Sequence, residues 1–152
     1  MKSDQVVLGV DFGTKRIGLA ISSTSILPAS PVITLLRSRR QGHDLAEICR
    51  HAALQHASLI VVGIPYRKND VSGKMANQAL EFVNALRKVS QLPIDTVNES
   101  FTTAYADMDM EMAGISPEKQ TKLRDAVAAC HIITAWRLAQ EKNSSVDSSA
   151  GV

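Results

Sequence analysis

Residues 5–11, Gln-Val-Val-Leu-Gly-Val-Asp, form a run that is apolar almost throughout and then stops on an aspartate. An alternating pattern would leave one strand face for water. A continuous valine-rich run has no such face and reads as a strand buried on both sides. A chain built around it needs layers packed above and below a sheet. Residues 58–64, Ser-Leu-Ile-Val-Val-Gly-Ile, form a second run of this kind, stopped by Pro65.

The remaining elements are read around these two strands. Gly13 and Thr14 make a turn, and residues 16–22 alternate, with Ile17, Leu19 and Ile21 apolar. That pattern predicts an antiparallel hairpin with the first strand. Pro28 and Pro31 interrupt, and residues 32–37 read as a third, edge-like strand. Leu45, Ile48, Cys49, Ala52 and Ala53 have helical spacing over 43–56, as do Met75, Ala79, Phe82, Val83 and Leu86 over 74–88. Pro93 precedes a short strand, Ile94 to Val97. Thr102 or Thr103 caps a helix ending near Gly114. Ser116-Pro117, a cap followed by proline at the first helical position, opens a last helix predicted to end near Lys142. The polar residues 143–152 are expected to be a disordered tail. The order predicts an α/β fold: a mixed five-stranded sheet, an antiparallel meander followed by parallel strands, with helices on both faces. It predicts one domain over 1–142, without an internal repeat.

A chain of 152 residues suits one core, and 45% hydrophobic with 21% charged residues excludes a disordered or collagen-like chain. No apolar run approaches the roughly 18 residues of a membrane span, so no membrane partner is expected. The start, Met-Lys-Ser-Asp-Gln, leads into the Asp11 strand without a small-residue cleavage site, so no secretory leader is expected. Cys49 and Cys130 lie far apart in helical patterns. They read as free buried thiols in a reducing compartment, and a cytoplasmic location is expected. Neither belongs to a Cys-x-x-Cys pair, so zinc is not indicated. A net charge of +2 neither demands nor excludes nucleic acid. Local clusters say more: Arg37, Arg39 and Arg40; Arg67 and Lys68; Lys119, Lys122 and Arg124. Each is a solvated face by itself and gains meaning only if the clusters converge on phosphates.

Three acids stand where a structural protein rarely puts them. Asp11 ends an apolar central strand. Glu99 follows the strand Ile94–Val97. Asp125 interrupts the helical face that carries Ala129, Ile132 and Trp136. Burying a carboxylate costs several kcal/mol, about that much for each one, unless a cation or hydrogen bonds compensate. Three of them, at the end or inner face of different elements, point to a divalent cation site, and hard oxygen donors select Mg2+ or Mn2+ over zinc. Two ions about 4 Å apart would suit phosphodiester hydrolysis by an activated water. Singly, each acid has a plainer reading: Asp11 as a turn residue bonded to Thr14, Glu99 as a surface acid, Asp125 paired with Lys122 or Arg124. Gly13 and Gly18 would let a phosphate backbone approach the hairpin. Ala126, Ala128 and Ala129 would let the last helix lie close to the sheet.

The chain resembles the YqgF family of RNase H-like proteins, described as Holliday junction resolvases and as nucleases maturing the small-subunit ribosomal RNA precursor. The resemblance runs from about Val6 to Leu138. It rests on Asp11-Phe12-Gly13-Thr14-Lys15-Arg16-Ile17-Gly18, Val61-Val62-Gly63-Ile64-Pro65, Asn98-Glu99-Ser100-Phe101-Thr102-Thr103 and Lys122-Leu123-Arg124-Asp125-Ala126-Val127-Ala128-Ala129. It implies an RNase H fold with Asp11, Glu99 and Asp125 as catalytic metal ligands. Lys15 and Arg16 match the family's basic pair on the hairpin, and Lys122 its lysine before the last aspartate. Two segments depart from the family pattern: Asn98-Glu99-Ser100 stands in place of Asp-Glu-Arg, and Tyr66–Gly73 in place of a Leu-Asn-x-Asp-Gly loop.

The leading expectation is a metal-dependent endonuclease acting on structured RNA or branched DNA. Processing of the small-subunit rRNA precursor is favoured on the family's account, and junction resolution in recombination and repair is the alternative. Lys15, Arg16, Arg67, Lys68, Lys119, Lys122 and Arg124 are the expected phosphate contacts, and Gly13, Thr14 and Gly18 shape the turn. A resolvase must cut two strands symmetrically and so implies a homodimer, whereas an rRNA nuclease can act as a monomer. A sugar-kinase-like ATPase would share Asp-x-Gly-Thr but needs a second domain and a second phosphate hairpin, for which 152 residues leave no room. An inactive nucleic-acid-binding module is the third reading, prompted by the Asn98–Ser100 segment.

Overall fold

The two apolar runs lie side by side at the centre of one sheet. The structure, a computed structural model, describes residues 5–23, 29–66, 73–99 and 116–150, without the side chains of 120–122 and 142–150. In chain order the elements are β1 (Val6–Phe12), β2 (Arg16–Ser23), β3 (Ser30–Leu36), α1 (Gln41–Leu54), β4 (Leu59–Ile64), α2 (Lys74–Val89), β5 (Ile94–Asn98) and α3 (Pro117–Ala150). The sheet order is β3-β2-β1-β4-β5. β1 pairs antiparallel with β2 and parallel with β4, β2 pairs antiparallel with β3, and β4 pairs parallel with β5. The mixed five-stranded sheet with helices on both faces is the architecture that the element order predicts.

Strand alternation divides the core into two layers. Leu8, Val10, Ile17, Leu19, Ile60, Val62 and Ile64 pack with Leu45 and Ile48 of α1 and Phe82, Val83 and Leu86 of α2. Phe12 stacks on Phe82, their ring centroids 4.3 Å apart. On the opposite face Val7, Ala20, Leu59 and Val61 pack with Ala129, Ile132, Ile133 and Trp136 of α3. Exposing Val7, Val61, Ile132 and Ile133 together would cost on the order of 6–12 kcal/mol. That rivals the whole stability of a domain, so α3 belongs to the core. The indole Nε1 of Trp136 donates to the Asp95 Oδ2 at 2.7 Å, fastening α3 to β5.

Some boundaries differ from the sequence reading. β3 starts at Ser30 and includes Pro31, because it is an edge strand with a register shift opposite Leu19 and Ala20. Proline is tolerated at such an edge, where its missing N–H interrupts no central ladder. α1 is shifted to 41–54. The Ser116 hydroxyl accepts from the Lys119 N–H at 3.5 Å, at the outer limit for the predicted cap. α3 continues to Ala150 rather than ending near Lys142. A polar composition does not stop a helix; a glycine does, and the next one is Gly151. Cys49 and Cys130 are not joined in a disulfide, and both are half-buried rather than fully buried. The predicted helix from Thr102 or Thr103 to Gly114 lies outside the described residues. Among the described residues no helix is long and apolar enough to cross a membrane.

Candidate active site

The register of the three central strands sets the site. Asp11 stands opposite Gly18 on β2 and opposite Gly63 on β4. In a pleated strand residues two apart share a face, so Asp11 lies on the side of Val7, the side that α3 covers. Neighbouring strands are about 4.8 Å apart, which puts Gly18 and Gly63 roughly 10 Å from each other with Asp11 between them.

Each flanking glycine makes room for one of the other two acids. A Cβ added to Gly63 would lie 2.8 Å from the Glu99 Oε2, so the Glu99 carboxylate rests over that glycine. The Glu99 N–H donates to the Ile64 carbonyl at 3.1 Å, which extends the β4–β5 ladder and fixes the residue there. A Cβ at Gly18 would collide with the main-chain carbonyl of Asp125, so α3 touches the sheet at that point. The three predicted acids therefore come from β1, the end of β5 and α3 to one face at one end of the sheet. That end holds the C-terminal ends of the parallel strands β1, β4 and β5, where ligands bind in open α/β sheets.

The carboxylates are gathered but not closed into a cage. The Asp125 Oδ2 accepts from the Arg16 Nε at 2.8 Å, and the two side chains are 21% and 46% exposed. Among the described residues no three His, Cys, Asp or Glu groups close to metal-holding geometry. The donor set nevertheless fits a hard divalent cation: three carboxylate residues on one face, with the space a Cβ would take at Gly63 given over to Glu99.

The glycines do a different job from the one expected. Gly13 and Gly18 are read from the sequence as openings for a phosphate backbone, but the chain itself fills both spaces. Gly18 is covered by α3. Gly13 closes the turn, its N–H donating to the Arg16 carbonyl at 2.9 Å, and a Cβ there would stand 2.7 Å from that oxygen. Thr14 and Lys15 are exposed in this turn beside Asp11.

The basic residues only partly converge. Lys15 and Arg16 sit on the hairpin, while Lys119 and Arg124 are exposed on the first turns of α3. Arg16 is engaged with Asp125. Lys122 lies within α3, and its side chain is outside the described set. Arg67 and Lys68 lie outside the described residues. Arg37, which the sequence groups with Arg39 and Arg40 as a solvated cluster, is a brace instead. Its Nη1 donates to the Gly13 carbonyl at 3.5 Å, its backbone N–H to the Lys15 carbonyl at 2.9 Å, and its guanidinium lies 4.7 Å above the Phe12 ring. Buried Asp44 holds the other side of it, Oδ2 to Nε at 3.5 Å, and takes the Ser38 N–H at 2.9 Å. Sequence reading missed Asp44 and Gly63. The signal for Gly63 is a glycine inside a fully apolar central strand, which marks a close approach. An acid in the first turn of an amphipathic helix looks like any other, so Asp44 left no comparable signal.

The chain matches the family model RuvX, described as Holliday junction resolvase, over residues 5–139. A protein of Mycobacterium bovis (strain BCG / Pasteur 1173P2) named "Putative pre-16S rRNA nuclease" is 35% identical over 130 residues, covering 85% of this chain and 76% of its own. A protein of the same name from Synechococcus sp. (strain JA-2-3B'a(2-13)) is 36% identical over 129 residues, covering 85% and 75%. In fold, the chain is similar to T. thermophilus RuvC in complex with Holliday junction substrate, with a TM-score of 0.60 and 17% identity over 90% of this chain and 96% of that one. A match over nearly all the described residues, together with relatives of this identity, places the chain in the RuvX (YqgF) family of RNase H-like nucleases.

Proposed function

We propose that this protein is a divalent-metal-dependent endonuclease that hydrolyses phosphodiester bonds in structured RNA, with the small-subunit rRNA precursor as its substrate. One observation carries the reading: Asp11 lies between Gly18 and Gly63, with Asp125 over the first glycine and Glu99 over the second. Asp11, Glu99 and Asp125 would hold Mg2+ or Mn2+. Bound ions of this kind supply an activated water and neutralise charge on the leaving oxygen. The protein's own groups do the rest. Lys15 on the hairpin and Arg124 beside Asp125 offer exposed cations to substrate phosphates, and Lys119 extends that rim along α3. Arg37 and Asp44 hold the hairpin turn so that Lys15 keeps its place. The substrate assignment follows the named relatives, whose identity to this chain is 35–36%.

A second reading, cutting of four-way DNA, is favoured by the description of the family model. It requires two copies acting symmetrically, whereas the RNA reading is satisfied by a monomer. A cleavage panel separates the readings: precursor rRNA, single strands and four-way DNA, each with Mn2+, Mg2+ or chelator. Metal-dependent cutting of the precursor RNA is the expected result. Cutting confined to four-way DNA would replace the substrate. Binding without cutting under every metal condition would replace the enzyme by a binding module.

A further inference from the structure

The ion pair between Arg16 and Asp125 joins two residues that the proposed function uses separately, one toward phosphate and one toward metal. Arg16 is the first residue of β2 and lies two positions before Gly18, on the face that α3 covers. The same helical residue, Asp125, presses its carbonyl on Gly18 and gives its carboxylate to Arg16. The contact runs from the Arg16 Nε to the Asp125 Oδ2, and both side chains reach solvent. Such an exposed pair is weak, worth about a two- to fivefold bias in population, so a divalent cation can displace it.

We propose that Arg16 holds the cation's place on Asp125 in the ion-free chain and that ion binding displaces it to the rim, where its guanidinium takes a substrate phosphate. The inference rests on the metal-site reading given above and adds a coupling between metal loading and substrate grip. A guanidinium on a carboxylate repels a divalent ion that binds the same carboxylate, so ion loading weakens the Arg16 contact and favours its release.

The test is Mn2+ binding by calorimetry on the full chain, which does not depend on turnover. Arg16→Gln should bind Mn2+ about two- to fivefold more tightly than the parent. Arg16→Lys, which keeps the charge, should stay within about twofold of the parent by the same electrostatic argument. Asp125→Asn should lose this binding. On a cleavage-resistant phosphorothioate RNA duplex, Mn2+ should steepen the parent's salt dependence of binding by about one phosphate contact and leave that of Arg16→Gln unchanged. If Mn2+ binds, is lost in Asp125→Asn and is no tighter in Arg16→Gln, the placeholder role is overturned while the metal site stands. If neither the parent nor Arg16→Gln binds Mn2+, both the inference and the metal-site reading fail.

Discussion

The main-chain carbonyl of Asp125 rests where Gly18 would otherwise carry a side chain, so α3 meets β2 backbone against backbone at that point. The obstacle to a larger residue is fixed main chain, which cannot rotate away. Gly18→Ala should therefore force α3 off the sheet and destabilise the protein by about 3 kcal/mol, at the upper end for overpacking. Urea denaturation measures this directly. Gly42→Ala is the internal control: nothing lies within 4 Å of its Cβ position inside α1, so it should stabilise by about 0.5–1 kcal/mol.

Gly63→Ala should show the opposite balance between stability and activity. Its Cβ would stand 2.5 and 2.8 Å from the Cδ1 and Cγ1 of buried Ile132 and 2.8 Å from the Glu99 Oε2, side-chain atoms throughout. Side chains can shift where main chain cannot, so the stability cost should be about 1–2 kcal/mol. Moving Glu99 displaces one of the three acids, so metal-dependent cleavage should fall on the order of tenfold or more. Cleavage rates beside denaturation curves for the two variants test the contrast.

The pH dependence of stability should carry a signature of His51. Burial holds this imidazole below its ordinary value of 6.5; Arg50 pushes the same way and Glu47 opposes. The Arg50 Nη2 lies 3.3 Å from the His51 Nε2, and since a guanidinium can only donate, that nitrogen must be unprotonated. The unfolded chain takes up a proton near pH 6.5 and the folded chain resists it. The His51 contribution is thus complete above pH 6.5 and declines as pH falls below that value. Glu47 acts in a separate window: its hydrogen bond to Arg50 lowers it from 4.5, so its contribution holds above pH 4.5 and is lost as pH falls further. Denaturation of His51→Gln between pH 7.5 and 5 should show a flatter profile than the parent.

The fold was legible because each layer writes its own period. Valine-rich runs without alternation marked β1 and β4, and helical spacing marked α1, α2 and α3. The three acids were legible for a related reason, since each breaks an apolar pattern. Their convergence was not, because it depends on β1 lying between β2 and β4 with Asp11 level with Gly18 and Gly63. Register across strands distant in sequence leaves no local trace. The same gap produced the misreading of Gly18: a glycine reports that something comes close, not what it is, and here the neighbour is α3 rather than a phosphate. Arg37 and Asp44 looked like ordinary surface charges because the hairpin turn that they brace is more than twenty residues away in sequence.

The most direct test of the account is cleavage by Asp11→Asn in the presence of Mn2+. The substitution keeps the shape of the central acid and removes its charge. The account predicts a loss on the order of a hundredfold or more in cleavage of precursor rRNA, with thermal unfolding close to that of the parent. An Asp11→Asn protein that cuts as fast as the parent under the same Mn2+ concentration would contradict it.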